Sequence, residues 1–174
     1  NPSSVRCTWW TSGNRVREEY PQHSNPMQKE KSMHTLRQLL GSKTPEVYAV
    51  APGDSVIDAI RLMAEKGVGA VLVMDGARLA GIVSERDYAR KIVLHGKSSA
   101  DTSVRDIMTA DVVTVNPHQT VEQCMQIVTD HRIRHLPVVD DEEVIGVISI
   151  GDLVKAVIQD QQVQLDQLQR YIAS

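Results

Sequence analysis

The chain contains no phenylalanine, and only 3% of its 174 residues are aromatic, with both tryptophans adjacent at Trp9 and Trp10. A core without rings must be assembled from Val, Ile, Leu, Met and Ala. Cysteine is nearly as scarce. Cys7 and Cys124 are far apart and match no metal-ligand spacing, which excludes a disulfide framework and a C-x-x-C centre. No apolar run approaches the roughly 18 residues of a membrane helix. With 19 basic against 22 acidic residues and a net charge of −3, no overall basic field invites nucleic acid. Catalytic signatures are missing as well: there is no G-x-S-x-G, H-E-x-x-H or P-loop. Gly67-Val68-Gly69 lacks the third glycine of a dinucleotide fingerprint and precedes a strand where the fingerprint precedes a helix. These absences predict a cytoplasmic, non-enzymatic protein with no metal, no catalytic cofactor, and neither nucleic acid nor membrane as partner.

What is present is a repeat. Shifted by 65 residues, the sequence matches itself without a gap: Val50-Ala51-Pro52 falls on Val115-Asn116-Pro117, and Val73-Met74-Asp75 on Val138-Val139-Asp140. Gly81-Ile82-Val83-Ser84-x-x-Asp87 falls on Gly146-Val147-Ile148-Ser149-x-x-Asp152. Such a match points to one unit present twice. Residues 1–33, rich in Ser, Asn, Arg and Pro, are expected to be a flexible extension without a secretory signal.

Each unit reads the same way. A short apolar strand (Val47–Val50; Val112–Val115) ends at a proline, which cannot continue a ladder. Ser55 or Thr120 then caps a helix whose apolar face is Val56, Ala59, Ile60 and Met63, or Val121, Cys124, Met125 and Val128. Two further strands follow, Ala70–Met74 with Ile82–Ser84, and Leu136–Val139 with Val144–Ser149, and a second helix begins around Asp87 or Asp152. A short helix Leu36–Leu40, closed by Gly41, is expected ahead of the first unit. The fold class is α/β (α+β): two pseudo-twofold-related β-α-β-β-α units with small mixed sheets, packed on one another, plus a C-terminal helix.

The motifs carry a resemblance. His131-Arg132-Ile133-Arg134-His135-Leu136-Pro137-Val138-Val139-Asp140, the linker Val104-Arg105-Asp106-Ile107-Met108-Thr109, and Ser84-Glu85-Arg86-Asp87-Tyr88-Ala89-Arg90-Lys91 resemble the CBS domain. The tandem arrangement resembles the Bateman module of stand-alone CBS-pair proteins from bacteria and plant organelles. On that resemblance, residues 34–107 are expected to form the first CBS domain, 108–158 the second, and 159–174 a C-terminal helix.

The resemblance implies an adenine nucleotide (AMP, ADP, ATP or NAD(H)) in the cleft between the copies. A carboxylate can accept from both ribose hydroxyls while a nearby serine donates, so Ser84 with Asp87 and Ser149 with Asp152 would be two ribose clamps. The same Ser-x-x-Asp spacing also serves a helix start by capping alone. Phosphate would be met by Arg86, Arg132, Arg134 and His135, charges concentrated in the second copy, so the two sites should be unequal. By analogy with the family, adenine at the Asp152 site would meet Thr44, Tyr48, Val68, Gly69 and Ile148. At the Asp87 site it would meet Thr109, Val113, Ile133 and Val83.

Val154, Ile158, Gln161, Leu165, Leu168 and Ile172 follow a 4-3-4-3-4 spacing, a coiled-coil seam suited to a homodimer. The function implied is regulatory: nucleotide shifts a conformational or assembly equilibrium that a separate effector protein reads, a form of energy sensing and signal transduction. The alternatives are a structural or partner-binding module without a nucleotide ligand, and a nucleotide-processing enzyme.

Overall fold

The computed structural model describes residues 34–41 and 46–173, so the expectations for residues 1–33 and for Thr44 lie outside the described residues. The elements run α1 (Leu36–Gly41), β1 (Ala49–Val50), α2 (Val56–Lys66), β2 (Ala70–Asp75), β3 (Arg78–Ser84) and α3 (Glu85–Lys91). The second copy continues with α4 (Val121–Asp130), β4 (His135–Asp140), β5 (Glu143–Ser149) and α5 (Ile150–Ala173). The architecture is α/β with two small sheets and a C-terminal helix, as the repeat implied.

Local chemistry repeats with the sequence. Ser55 caps α2 by accepting from the Asp58 amide, and Thr120 caps α4 in a reciprocal box with Gln123. Both helices are left through a left-handed residue, Gly67 (φ 64°) in the first copy and Arg132 (φ 53°) in the second. Each hairpin carries the same irregularity, between Val73 and Met74 and between Val138 and Val139.

The copies differ in their first strand. β1 pairs in parallel with β2 (Ala49↔Leu72, Val50↔Val73), whereas the strand expected at Val112–Val115 is reduced to one bridge, Val115↔Val138. Leu72 donates its amide to the Tyr48 carbonyl at 3.0 Å. The residue matching Leu72 is Pro137, which has no N–H, so that rung of the ladder is lost.

The two cores are built by exchanged straps. Val104 and Ile107, from the segment between the copies, are buried with Val56, Met63, Val71, Val73 and Val83 of the first copy. Leu36 and Leu40 of α1 are buried instead with Val121, Cys124, Leu136, Val138 and Ile148 of the second. The hydrogen bonds match: Val104 N–H donates to Asp54 O at 2.8 Å and Arg105 N–H to Pro52 O at 3.0 Å. Likewise Leu36 N–H donates to Gln119 O and Arg37 N–H to Pro117 O, each at 2.9 Å. The segment ahead of the first copy therefore completes the core of the second. An Arg37–Asp140 ion pair at 2.8 Å and a contact of the His34 ring with Asp160 add to the same docking. Cys124 is fully buried, as its match to Ala59 suggested, and burial pushes its thiol up to about 11.

The helices that follow the hairpins diverge in length. α3 has 7 residues and is succeeded by a 3-10 turn, Val93–His95, that ends at left-handed Gly96 (φ 61°). The residue matching Gly96 is Gln161, and α5 runs on unbroken for 24 residues. The second helix of the copy and the C-terminal helix, expected to part at 158/159, are one element.

Candidate functional site

Two cavities lie where the clamps were expected. The first, about 270 Å³, is lined by Ile82 and Ser84 of β3, Glu85, Arg86 and Asp87 of α3, the segment carrying Thr109, Asp111, Val112 and Val113, and Ile133, Arg134 and His135. The second, about 820 Å³, is lined by Tyr48, Lys66, Val68 and Gly69 with Ser149, Ile150, Gly151 and Asp152, and again by Arg134 and His135. The larger falls within the usual range for small-molecule sites and the smaller just below it. Gly69, Arg134 and His135 line both cavities and form the wall between them.

Each serine–aspartate pair sits at the junction of the second hairpin strand with the following helix. Asp87 Oδ2 accepts from Ser84 N–H at 3.0 Å and from Ser84 Oγ at 2.7 Å; Asp152 Oδ2 accepts from Ser149 N–H and Ser149 Oγ, both at 2.9 Å. The capping alternative is thus realised in both copies, and it engages one carboxylate oxygen while holding the other in a fixed direction. The helix starts are pinned identically: Glu85 N–H donates to Gly69 O at 3.1 Å, and Ile150 N–H to Arg134 O at 2.8 Å.

Of the residues assigned to adenine, Thr109, Val113 and Ile133 line the first cavity, and Tyr48, Val68 and Gly69 the second. Val83 and Ile148 do not. Both are fully buried in the two cores and line neither cavity. Strand alternation explains this: Ile82 and Ser84 face the first cavity, so Val83 between them faces the core, and Val147 and Ser149 place Ile148 likewise.

Among the cations, Arg86 lines the first cavity and Arg134 both, whereas Arg132 lines neither. The Arg132 carbonyl instead accepts from Arg86 Nη1 at 3.0 Å, a bond that ties one copy to the other. Burial lowers the pKa of His135 below the ordinary 6.5, with Arg134 and Arg86 acting the same way and Asp152 and Glu85 opposing. At neutral pH His135 thus offers a hydrogen bond and little charge. Sequence reasoning missed Glu85 and Asp111 on the wall of the first cavity, and it missed Lys91, whose ammonium lies 3.0 Å from Asp87 Oδ1. The i,i+4 spacing of Asp87 and Lys91 was the available signal for that pair. Tyr48 lies beneath Lys66, whose Nζ is 5.6 Å from the ring centre, and its hydroxyl donates to Glu46. Among the described residues no group of three His, Cys, Asp or Glu side chains could hold a metal ion, and no helix is long and apolar enough to cross a membrane.

CBSX3, a mitochondrial CBS domain-containing protein of Arabidopsis thaliana, is 46% identical over 124 residues, which are 68% of this chain and 60% of the relative's length. The solved structure of a protein with CBS domains from Burkholderia ambifaria superposes with a TM-score of 0.71 at 56% identity, covering 74% of this chain and 96% of that one. The crystal structure of CBSX2 in complex with AMP superposes with a TM-score of 0.61 at 26% identity, covering 72% and 97%. The profile of the CBS domain matches twice, at residues 38–94 and 104–159. The chain belongs to the CBS-domain family and carries two copies of that domain.

Proposed function

We propose that the chain is a regulatory module that binds an adenine nucleotide between its two CBS copies and passes the binding state to a separate effector protein. The observation that carries this reading is the pair of cavities, each presenting a carboxylate held by its own serine, with one cationic wall in common. The AMP found in the complex of CBSX2 supports the ligand class. AMP, ADP, ATP and NAD(H) all share the adenosine that such clamps would read. The action proposed is binding without turnover, in the cytoplasm; incubation of nucleotide with protein and metal should leave the nucleotide unchanged.

A thermal-shift panel with AMP, ADP, ATP, NAD(H) and S-adenosylmethionine tests the reading. A ligand at 100 times its dissociation constant adds about 2.7 kcal/mol, or roughly 5–10 °C for a domain of this size. If no nucleotide moves the melting temperature, the reading fails and the alternative of a partner-binding module without nucleotide takes its place. Asp152→Ala should abolish one site in a titration and leave the other, and simultaneous loss of both would contradict two separate clamps.

A homodimer is part of the same proposal. Val154, Ile158, Leu165, Leu168 and Ile172 of α5 are all exposed, between 41% and 82%. The flanking Gln162, Gln164 and Gln169 carry no charge that would repel a second copy of the same helix.

A further inference from the structure

Resting on the nucleotide-binding reading, we infer that Lys91 is a latch on the first clamp: it competes with a ligand diol for Asp87 and ties occupancy of the first cavity to the segment between the copies. Both oxygens of the Asp87 carboxylate are engaged. Oδ2 is held by Ser84, and Oδ1 lies 3.0 Å from Lys91 Nζ. Lys91 lines neither cavity and reaches the carboxylate from the linker side, where its Nζ also donates to the Ile107 carbonyl at 2.5 Å. A ribose seeking two acceptors on Asp87 must therefore displace the ammonium from Oδ1.

Exposure favours that displacement. The Lys91 side chain is 41% exposed and can turn to water, whereas Asp87 at 18% is fixed by its serine. Its release would remove the ammonium bridge that links the Ile107 carbonyl to Asp87. Ile107 is buried in the first core, and two residues on, Thr109 both lines the first cavity and is bridged to Ile82 by hydrogen bonds of 2.9 and 3.0 Å. Filling the first cavity thus removes one anchor of the linker. The position matching Lys91 is Ala156, whose buried methyl cannot pair with a carboxylate. The matched position therefore offers no lysine, and the first cavity should bind a nucleoside more weakly than it would without Lys91.

Titration calorimetry of AMP and of adenosine into the full chain carrying Asp152→Ala isolates the first cavity. Adding Lys91→Met should tighten both ligands roughly two- to fivefold, the span of a partly exposed ion pair. Lys91→Arg, which keeps a cation in reach of Asp87, should bind like its parent. Deuterium uptake over residues 104–109 should rise when AMP saturates the chain with Lys91 and stay level when AMP saturates Lys91→Met. If Lys91→Met weakens AMP and leaves adenosine unchanged, Lys91 acts only through its charge field on the phosphate and the latch is overturned. Equal affinities in the presence and absence of Lys91 overturn it too, as does uptake over residues 104–109 that ignores AMP in the Lys91 chain. Absence of binding by every form, the unsubstituted chain included, overturns the nucleotide reading itself and the latch with it.

Discussion

Adding one methyl group at matched glycines should have unequal consequences. Gly81 and Gly146 occupy the same place in β3 and β5, opposite Val73 and Val138. A Cβ on Gly81 would lie 2.7 Å from Met108 Sδ and 2.9 Å from the Thr109 carbonyl oxygen; on Gly146 it would lie 2.7 Å from Leu40 Cδ2 and 3.5 Å from Leu40 Cδ1. The Leu40 methyl is the end of a flexible side chain, and rotating it away costs on the order of 0.5–1.5 kcal/mol. That is offset by the 0.5–1 kcal/mol that alanine gains over glycine in a strand, so Gly146→Ala should cost about −0.5 to +1 kcal/mol, close to neutral. The Thr109 carbonyl is backbone and is bonded to the Ile82 amide at 3.0 Å. Gly81→Ala must push it aside, paying roughly 1–3 kcal/mol of overpacking and a further 0.5–1.5 kcal/mol for a strained bridge bond. After the same strand offset, the net cost is about 0.5–4 kcal/mol, centred on roughly 2. Equilibrium urea unfolding of both variants measures the difference directly. Since Thr109 lines the first cavity, Gly81→Ala should also weaken nucleotide there and spare the Asp152 site. Equal costs within about 0.5 kcal/mol, or the larger cost at Gly146, would refute the reasoning.

Leu36→Ala, at a fully buried position, should cost about 2–5 kcal/mol in urea unfolding, and a loss below 0.5 kcal/mol would show that α1 is dispensable to the second core. Because His135 has its pKa lowered in the folded state, the unfolded chain takes up the proton first on acidification. Stability should therefore be full above the ordinary value of 6.5 and fall as pH drops through it, and His135→Asn should flatten that part of a melting-temperature profile. Leu168→Glu places a charge on the exposed seam of α5, so light scattering should report a shift from dimer to monomer at unchanged helix content.

The repeat, the helices and the hairpins were legible because each depends on local periodicity and on caps within three residues of the element they start. Less was legible where one copy departs from the other through a single atom group. Val112–Val115 is as apolar as its counterpart, and only the missing amide of Pro137, on the neighbouring strand, shortens it. The exchange of straps could not be read at all, since Leu36 and Val104 have the same apolar character whichever core they enter. Of the site, the serine–aspartate pairs were legible from their duplication. Val83 and Ile148 line neither cavity, and alternation within their strands, anchored on Ser84 and Ser149, already pointed their side chains to the cores.

The differences between the copies fall on matched positions, and each changes one physical property. Gly67 becomes Arg132, which keeps the left-handed turn at a steric cost of about 1 kcal/mol and places a carbonyl where Arg86 of the other copy can bond it. Gly96 becomes Gln161, which removes a helix stop and lets α5 project an apolar stripe that the short α3 cannot. Lys91 becomes Ala156, which removes the cation that pairs with the first clamp. The first copy thus adds a lysine to the serine that holds its carboxylate, while the second supplies Arg134 and His135 to both cavities and extends the exposed helix. A ligand filling both cavities meets Lys91 at the first clamp and an alanine at the matched position of the second, so equal affinity at the two sites would require the remaining differences between the copies to cancel that cation.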